Sequence, residues 1–558
     1  MAIHAVSPPN LTPTMSLTSL PPDVLHTIVS SLPHRDLLSV TTVCGHLRKV
    51  GIECLLARPI TINSEPQLAS FCRFMLSEKC AERVLLLRQL RLIRLVSPEA
   101  VLDGLDHAIT DSILDTGERQ AHPWRHDFDN VMDREYSHQR CGTSMLVDVL
   151  QRATELQDLD MDELEILLSV AKPALTQAIS SLPKLCRLTI TGYGRWTRQL
   201  CRSLVSPHLR AIDVDFWHES AEPADDGTIS YRALMALLSR YPEIEEVTAK
   251  NVTFAAPHKN LEPSVAASRA VHTLVLQGIS GALSLHQLVE AFPNVRKLKL
   301  SGLSTTLPDT AYYSSQALRA LNGGVARWQT LDELSGDLVS LYALNLQGCR
   351  VGRLVVNGPF ALGDPQNLDR AFLAHQYATV IADAWPTSLR LTWTHHRRVV
   401  FGDPWLFFKD VCRASVAFPK LAHFGHGVRH LALDLCFSMS WESIDIPSVE
   451  GFPCLQTLVL RVRTAVGIPA VAQYSSGVGD VLVLKNLNTK DTRTGYVVQR
   501  VLRSHPTLQH VALALPYNGC MRHWWKSMTP EGSVVEVTED VGRQLLAEAA
   551  LDDLYAFA

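Results

Sequence analysis

The stretch "FPNVRKLKL", residues 292–300, contains the pattern that decides the fold. A proline is followed at fixed spacing by three apolar residues, Val295, Leu298 and Leu300. Proline ends a helix that precedes it, because it lacks the amide hydrogen and its ring clashes with the previous turn. An apolar residue at every second position is typical of a strand with one buried face. The stretch therefore predicts a helix end followed by a short strand.

The same pattern recurs along the chain and predicts a repeat architecture. It is found in "LPKLCRLTI" (182–190), "SPHLRAIDV" (206–214), "YPEIEEVTA" (241–249), "FPCLQTLVL" (452–460) and "HPTLQHVAL" (505–513). Versions without the proline are "AVHTLVLQG" (270–278), "LVSLYALNLQG" (338–348) and "GVRHLALDL" (427–435). Helical apolar stripes precede several of them, behind the candidate N-cap residues Ser230 and Ser284. The predicted helix-ending prolines are Pro183, Pro242, Pro293, Pro453 and Pro506.

The repeated unit resembles the leucine-rich repeat, most fully in "LYALNLQGC" (341–349). The equivalent strand positions recur at uneven spacing, at Leu188, Ile212, Val247, Leu274, Leu298 and Leu344. The resemblance implies an α/β fold over residues 151–535, an irregular solenoid with a parallel strand face and outer helices. An ordinary α/β sheet with helical crossovers gives a similar alternation and remains an alternative.

A different pattern lies near the N-terminus, in "LPPDVLHTIVSSLPHRDLLSVTTVC", residues 20–44. Prolines at 21–22 favour the start of one amphipathic helix, and Pro33 ends it. Asp36 favours the start of a second helix, whose apolar positions run from Leu37 to Leu47. Two helices this short cannot bury their apolar faces on each other alone, so we expect a packing partner.

The order and spacing of these residues resemble the F-box motif over residues 18–57. The resemblance implies a helical module that docks on a Skp-type linker subunit, and through it on a cullin of a ubiquitin ligase. The residues that the resemblance assigns to linker docking are Leu20, Pro21, Leu25, Ile28, Leu32, Leu37, Leu38, Val40, Val43 and Cys44.

Three further segments complete the predicted organisation. Residues 1–17 are rich in Pro, Ser and Thr, which predicts disorder. Residues 58–150 form a helical or irregular connection with an exposed polar loop at 115–140, and residues 536–558 form an acidic C-terminal helix.

Composition narrows the classes of partner. The net charge is −4, so no basic excess indicates a nucleic acid or an anionic membrane as partner. The apolar runs are all shorter than the about 18 residues of a membrane span, and the N-terminus lacks the pattern of a secretion signal. The 12 cysteines include no CxxC pair and are interpreted as reduced core residues. We therefore expect an intracellular protein, cytoplasmic or nuclear.

Catalytic signals are weak. The sequence contains no GxSxG, HExxH, Walker or GxGxxG motif. His122, His126 and His138 lie among acidic residues, but such a polar run is typical of a solvated loop rather than a metal site. We therefore predict no enzymatic activity, no cofactor and no metal.

An F-box followed by leucine-rich repeats is similar to the substrate receptors of Skp-cullin-F-box ligases. The function so implied is recruitment of a protein substrate; the alternative is a repeat-based scaffold with no ligase role, whose F-box-like end packs within the chain. Strand residues between the apolar positions face away from the core, and their charge changes from acidic to basic along the repeats. The predicted substrate-contacting residues are Asp213, Asp215, Glu246, Lys297, Lys299, Asn345 and Arg461.

Overall fold

The computed structural model describes residues 20–93, 140–216, 230–254, 267–303, 308–324, 327–358, 370–393, 410–412, 425–437, 451–464, 502, 505, 507–517, 520–528 and 534–548. The predicted disordered segment 1–17 and nearly all of the polar loop 115–140 lie outside these residues. The chain divides into two compact units, Met1–Glu222 and Pro223–Ala558, here called unit 1 and unit 2.

Unit 1 begins with three helices, α1 (Pro22–Ser31), α2 (His34–Val40) and α3 (Gly45–Leu56). The two predicted helices are present, but the second ends at Val40, and Leu47 belongs to α3. The third helix supplies the apolar surface that the first two lack. The expectation that the pair needs a partner is thus met by the next twelve residues of the same chain.

The rest of unit 1 alternates short strands with helices. Its elements are β1 (Ile60–Ile62), α4 (Glu65–Leu76), a 3₁₀ helix (Glu78–Leu86), β2 (Gln89–Leu92), α5 (Arg140–Arg152), β3 (Asp158–Met161), α6 (Leu164–Ser180), β4 (Arg187–Thr191), α7 (Arg195–Ser203) and β5 (Ala211–Asp215). The strands pair in parallel and in chain order, β1 to β5, with Leu90, Leu159, Leu188 and Ile212 in register.

Unit 2 continues the alternation. Its first elements are α8 (Ser230–Leu238), β6 (Glu246–Lys250), β7 (Thr253–Phe254), β8 (Thr273–Gln277), β9 (Ser280–Gly281), α9 (Leu285–Ala291), β10 (Lys297–Ser301), α10 (Pro308–Leu321), β11 (Thr330–Asp337) and α11 (Leu338–Leu344). Then follow β12 (Arg350–Asn357), α12 (Arg370–Ala384), β13 (Ser388–Trp393), β14 (His430–Phe437), β15 (Thr457–Thr464), β16 (His510–Tyr517), β17 (Cys520–Met528), β18 (Val534–Val537) and α13 (Glu539–Glu548).

The strands of the main sheet of unit 2 lie side by side in chain order from β6 to β18. Strands β7 and β9 are not part of it and form a separate parallel pair. All pairs up to β16 are parallel, whereas β17 and β18 are antiparallel. The expected α/β class with a long parallel sheet is confirmed.

The strand register aligns most of the positions that were predicted to lie on strands. Val247, Leu274 and Leu298 are aligned across β6, β8 and β10. Leu431 and Leu458 are aligned across β14 and β15 in the same way. These aligned side chains, Val247 included, are almost completely buried, as the alternation of apolar and polar residues predicts.

One repeat was predicted wrongly. The stretch "LYALNLQGC" begins inside helix α11, and β11, upstream of it, places Leu334 beside Leu298. Asp337 explains the difference, because its carboxylate accepts a hydrogen bond from the amide of Ser340 at 2.9 Å and starts a helix there. Asn345 therefore ends α11 in the left-handed region, with φ 52°, and does not lie on a strand face.

The helix-ending prolines are confirmed where the structure describes their surroundings. Pro183, Pro242 and Pro293 follow the ends of α6, α8 and α9 within a few residues. Ser284 caps α9 by accepting a hydrogen bond from the amide of Gln287. The segments expected to be helical before Pro453 and Pro506 lie outside the described residues.

Candidate functional site

Helices α1–α3 enclose a small core of their own. It consists of Leu25, Val29, Leu37, Leu47, Val50 and Cys54, with Leu32, Val40, Cys44 and Leu55 partly buried against it. Several residues predicted to dock a linker, such as Leu25 and Leu37, thus hold the three helices together.

Four aliphatic side chains of the same segment remain outside this core, three on α1 and α2 and one in the turn before α3. Val24, Ile28, Leu38 and Val43, here called the aliphatic patch, are between 38% and 68% exposed. Ile28, Leu38 and Val43 belong to the predicted docking set, whereas Val24 does not. Of the other predicted docking residues, Pro21 is exposed and Leu20 is half-buried. Val24 and Ile28 are four residues apart on α1 and so share one helix face, and several exposed aliphatic side chains on a unit this small indicate a protein-binding surface.

The end of α1 is held by a residue that the sequence pattern does not reveal. The Arg58 guanidinium donates hydrogen bonds to the carbonyl oxygens of Leu32, at 2.8 Å, and Ser30. Those carbonyls have no partner within the helix, so the arginine satisfies them. Arg58 follows the end of α3, and no spacing rule relates it to α1.

The second candidate surface is the polar face of the sheet. In unit 1, Asp213 and Asp215 lie on β5 and are partly buried, as predicted for strand residues between apolar positions. Asp160 on β3 adds to this acidic face and is 4.0 Å from Arg91 on β2. Sequence reasoning missed Asp160, because β3 carries no proline signal.

In unit 2 the register places charged residues of both signs beside one another. Glu246, Thr273, Lys297, Glu333 and Arg353 follow in one row across β6, β8, β10, β11 and β12. Lys297 and Lys299 are exposed, and so is Glu246. Arg353 forms an ion pair of 3.6 Å with Glu333.

Arg461 has a different setting from the one predicted. It is buried on β15, 4.0 Å from the carboxylate of Asp434, which also accepts a hydrogen bond of 3.1 Å from Arg390. An arginine enclosed in this way stabilises neighbouring strands rather than offering an exposed charge. Arg461 was predicted to contact a substrate because its strand position alternates with the buried leucines. Its own burial makes that prediction wrong.

Cofactor and metal chemistry gain no support from the described part of the chain. Its His, Cys, Asp and Glu residues include no group of three or more that could hold a metal ion. The histidines at 122, 126 and 138 lie outside it. The cysteines whose side chains the structure describes are free thiols, and burial raises the pKa of Cys72 to about 12. None of the described helices is long and apolar enough to cross a membrane.

Comparison with known proteins bears on the N-terminal helices. The family described as F-box-like matches residues 17–62. Residues 17–62 form an F-box-like domain. All the predicted docking residues fall inside this F-box-like domain, and so does the aliphatic patch.

The other comparisons add little. No curated protein matches the chain. Among solved structures, "Crystal structure of Rad7 and Elc1 complex in yeast" is 11% identical and covers 67% of this chain and 97% of that chain. Its TM-score is 0.20, which carries no argument for a shared fold.

Proposed function

We propose that the chain is a substrate-recognition adaptor of a Skp-cullin-F-box ubiquitin ligase and not itself an enzyme. In this proposal the F-box-like domain docks on a Skp-type linker, and through it on a cullin, while the later strands and helices bind a protein substrate. The observation that carries the proposal is the aliphatic patch. The domain already has a complete core, so these exposed side chains are available to a partner.

The same proposal includes a leucine-rich-repeat-like solenoid as the substrate reader. Strand order that follows chain order supports it, together with helices between successive strands and leucines kept in register. These features are typical of repeats that contact only their neighbours. The two exposed lysines of β10 are the proposed contacts for an acidic substrate segment.

The alternative is a protein-binding scaffold without a ligase role, whose F-box-like domain packs against its own chain. Helix α3 does contact the 3₁₀ helix of its own chain, but the aliphatic patch is not buried by such packing, since Val43 is 68% exposed and Leu38 is 48% exposed. The adaptor is therefore the function that the described residues support better.

Linker binding by a patch variant tests the proposal. We expect Leu38→Asp with Val43→Asp to weaken binding to a purified Skp-type linker at least about ten- to hundred-fold, since each change puts a charge where an aliphatic side chain would be buried. The melting temperature should stay close to that of the wild type. Isothermal titration and thermal unfolding measure the two quantities.

The matched control is Ser39→Asp with Thr42→Asp, which adds the same charge at exposed polar positions of the same segment. It should bind the linker like the wild type. Leu37→Ala is unsuitable as a test, because Leu37 is fully buried and its truncation costs about 2–5 kcal/mol of stability. Unchanged linker binding by the patch variant, or none by the wild type, would make the adaptor proposal wrong.

A further inference from the structure

One row on the polar face of the unit 2 sheet becomes apolar toward its C-terminal end, although Asp434 and Arg461 lie beside it on the same face. Along the row that contains Lys299 and Ser335, later strands contribute Ala432 on β14, Val459 on β15 and Ala512 on β16. These last three, here called the apolar row, are almost completely buried. Residues on the polar face of an uncovered sheet contact solvent, so the apolar row has a cover.

Part of that cover is the C-terminal helix α13. Leu546 is 2% exposed and forms a cluster with Ala432, Val459 and Ala512, against which Val537 also packs. Leu431, Leu458 and Val511 alternate with the apolar row and therefore point to the opposite face. The antiparallel strands β17 and β18 return the chain so that α13 reaches this face.

The hydrophobic contact that α13 makes with the apolar row is centred on Leu546, and Leu545 is half-buried beside it. Of its described side chains, Leu546 is the one buried in the cluster, and Gly542 is the other buried position. Val541 is 45% exposed, and Arg543 and Gln544 are exposed as well. A ten-residue helix is not stable in isolation, so α13 depends on this one leucine and its neighbours.

The receiving surface suits a leucine for a simple reason. Two of the three residues in the apolar row are alanines, which leave room above the strands for a larger side chain. The strands that carry the row pair in parallel, and the buried ion pairs of Asp434 with Arg390 and Arg461 lie beside the row on the same face.

We propose that the apolar row is a docking surface for an amphipathic helix with a single aliphatic anchor, and that α13 occupies it within the chain. A substrate helix with such an anchor competes with α13 for the same strands. The identification of the competing helix as a substrate rests on the proposed adaptor function. The docking surface itself does not.

The test uses the full-length protein and a labelled peptide with the sequence of residues 538–548. In the wild type, α13 fills the surface and the peptide binds poorly. We expect the Leu546→Asp protein to bind the wild-type peptide about ten- to hundred-fold more tightly than the wild-type protein does, the ratio that burial of one leucine provides. Fluorescence anisotropy measures it. Val541→Asp is the matched control, since Val541 is on the same helix and exposed, and it should bind like the wild type.

A peptide that itself carries Leu546→Asp should not bind any of these proteins. If Leu546→Asp does not fold, the milder Leu546→Ala protein replaces it, with the same direction of change expected. Equal peptide binding by the wild type, the Leu546 variant and the Val541 variant would overturn the inference. Linker binding is not involved in this measurement, so failure here is distinct from failure of the adaptor proposal.

Discussion

At the scale of single residues, the strand positions of Lys297 and Lys299 determine what their side chains can contact. They lie two residues apart on β10, so both point to the polar face of the sheet. Lys297 has Thr273 and Glu333 as its neighbours in register, and Lys299 has Val275 and Ser335. A pair of exposed cations with one acid nearby favours an acidic partner.

Charge reversal at these two residues gives the first further prediction. Lys297→Glu with Lys299→Glu should slow the association of an acidic substrate by about ten-fold at low salt, because steering by opposite charge is lost. The remaining rate should depend less on salt. Surface plasmon resonance at two ionic strengths measures both effects for a substrate that the wild type captures.

Two controls belong with this variant. Lys297→Gln with Lys299→Gln should show an intermediate rate, since it removes the charges without reversing them. Linker binding should be unchanged, because the F-box-like domain is left intact. Substrate association at the wild-type rate would exclude these lysines from the substrate site.

At the scale of single residues, the sequence predicts strand positions better than it predicts their exposure. Alternation assigns Arg461 and Lys297 to the polar face alike, yet Arg461 is buried and Lys297 is exposed. The difference arises because other segments cover the later strands. No local pattern carries that information, since the cover of these strands includes residues more than 80 positions away, such as Leu546, which packs with Val459.

At the scale of elements, neighbouring helices of unit 1 are joined by acidic caps. Helix α7 begins after Gly194, which has no side chain to cap it. Instead Glu165, in the first turn of α6, accepts hydrogen bonds of 2.8 Å from the amides of Trp196 and Thr197. Glu65 on α4 does the same for the amide of Gly142 on α5, at 3.0 Å. Each cap satisfies amides that have no helical partner and favours negative charge there.

This arrangement predicts that Glu165→Ala destabilises unit 1. The loss of three charged hydrogen bonds, one of them from the Thr197 hydroxyl, should lower the free energy of unfolding by about 1–3 kcal/mol. Chemical denaturation measures the change. Glu82→Ala, at an exposed glutamate of the same unit, is the control and should have little effect. Equal stability of the two variants would show that the cap contributes nothing.

Elements were predictable to different degrees for a physical reason. Helices that end before a proline, and strands in which apolar and polar residues alternate, were predicted correctly. Each of these patterns is contained within a few consecutive residues. The apolar residues at 341, 344 and 346 fit both a helix and a strand, so their spacing alone predicts a strand where helix α11 lies. The Asp337 cap is what starts the helix. The cap from Glu165 to α7 could not be found, because it joins residues of two different elements.

At the scale of the whole molecule, two histidines give stability a dependence on pH. Burial lowers the pKa of His375, and the charge of Arg319 lowers it further. Burial also lowers the pKa of His430, with contributions from Arg429 and His510. The folded state thus binds protons at these sites less readily than the unfolded chain does.

We therefore expect the free energy of unfolding to fall as pH decreases below the usual pKa of histidine, about 6.5, until the lowered pKa values are reached. Denaturation curves at about pH 7.5 and 5.5 measure the decrease. A variant with both His375→Gln and His430→Gln should show a smaller decrease over the same interval. A slope identical to that of the wild type would assign the pH dependence to other groups.

The order of the strands has a consequence for synthesis of the protein. Each parallel strand of unit 2 pairs with one made shortly before it, so the sheet can grow from its first strand while the ribosome is still translating. Leu546 is translated after every strand, at about 5–20 residues per second. For an interval on the order of seconds, the nascent chain carries a finished sheet whose apolar row lacks the part of its cover that Leu546 supplies. A chain truncated before Leu546 would lack that part of the cover permanently, and we expect such a product to depend on chaperones.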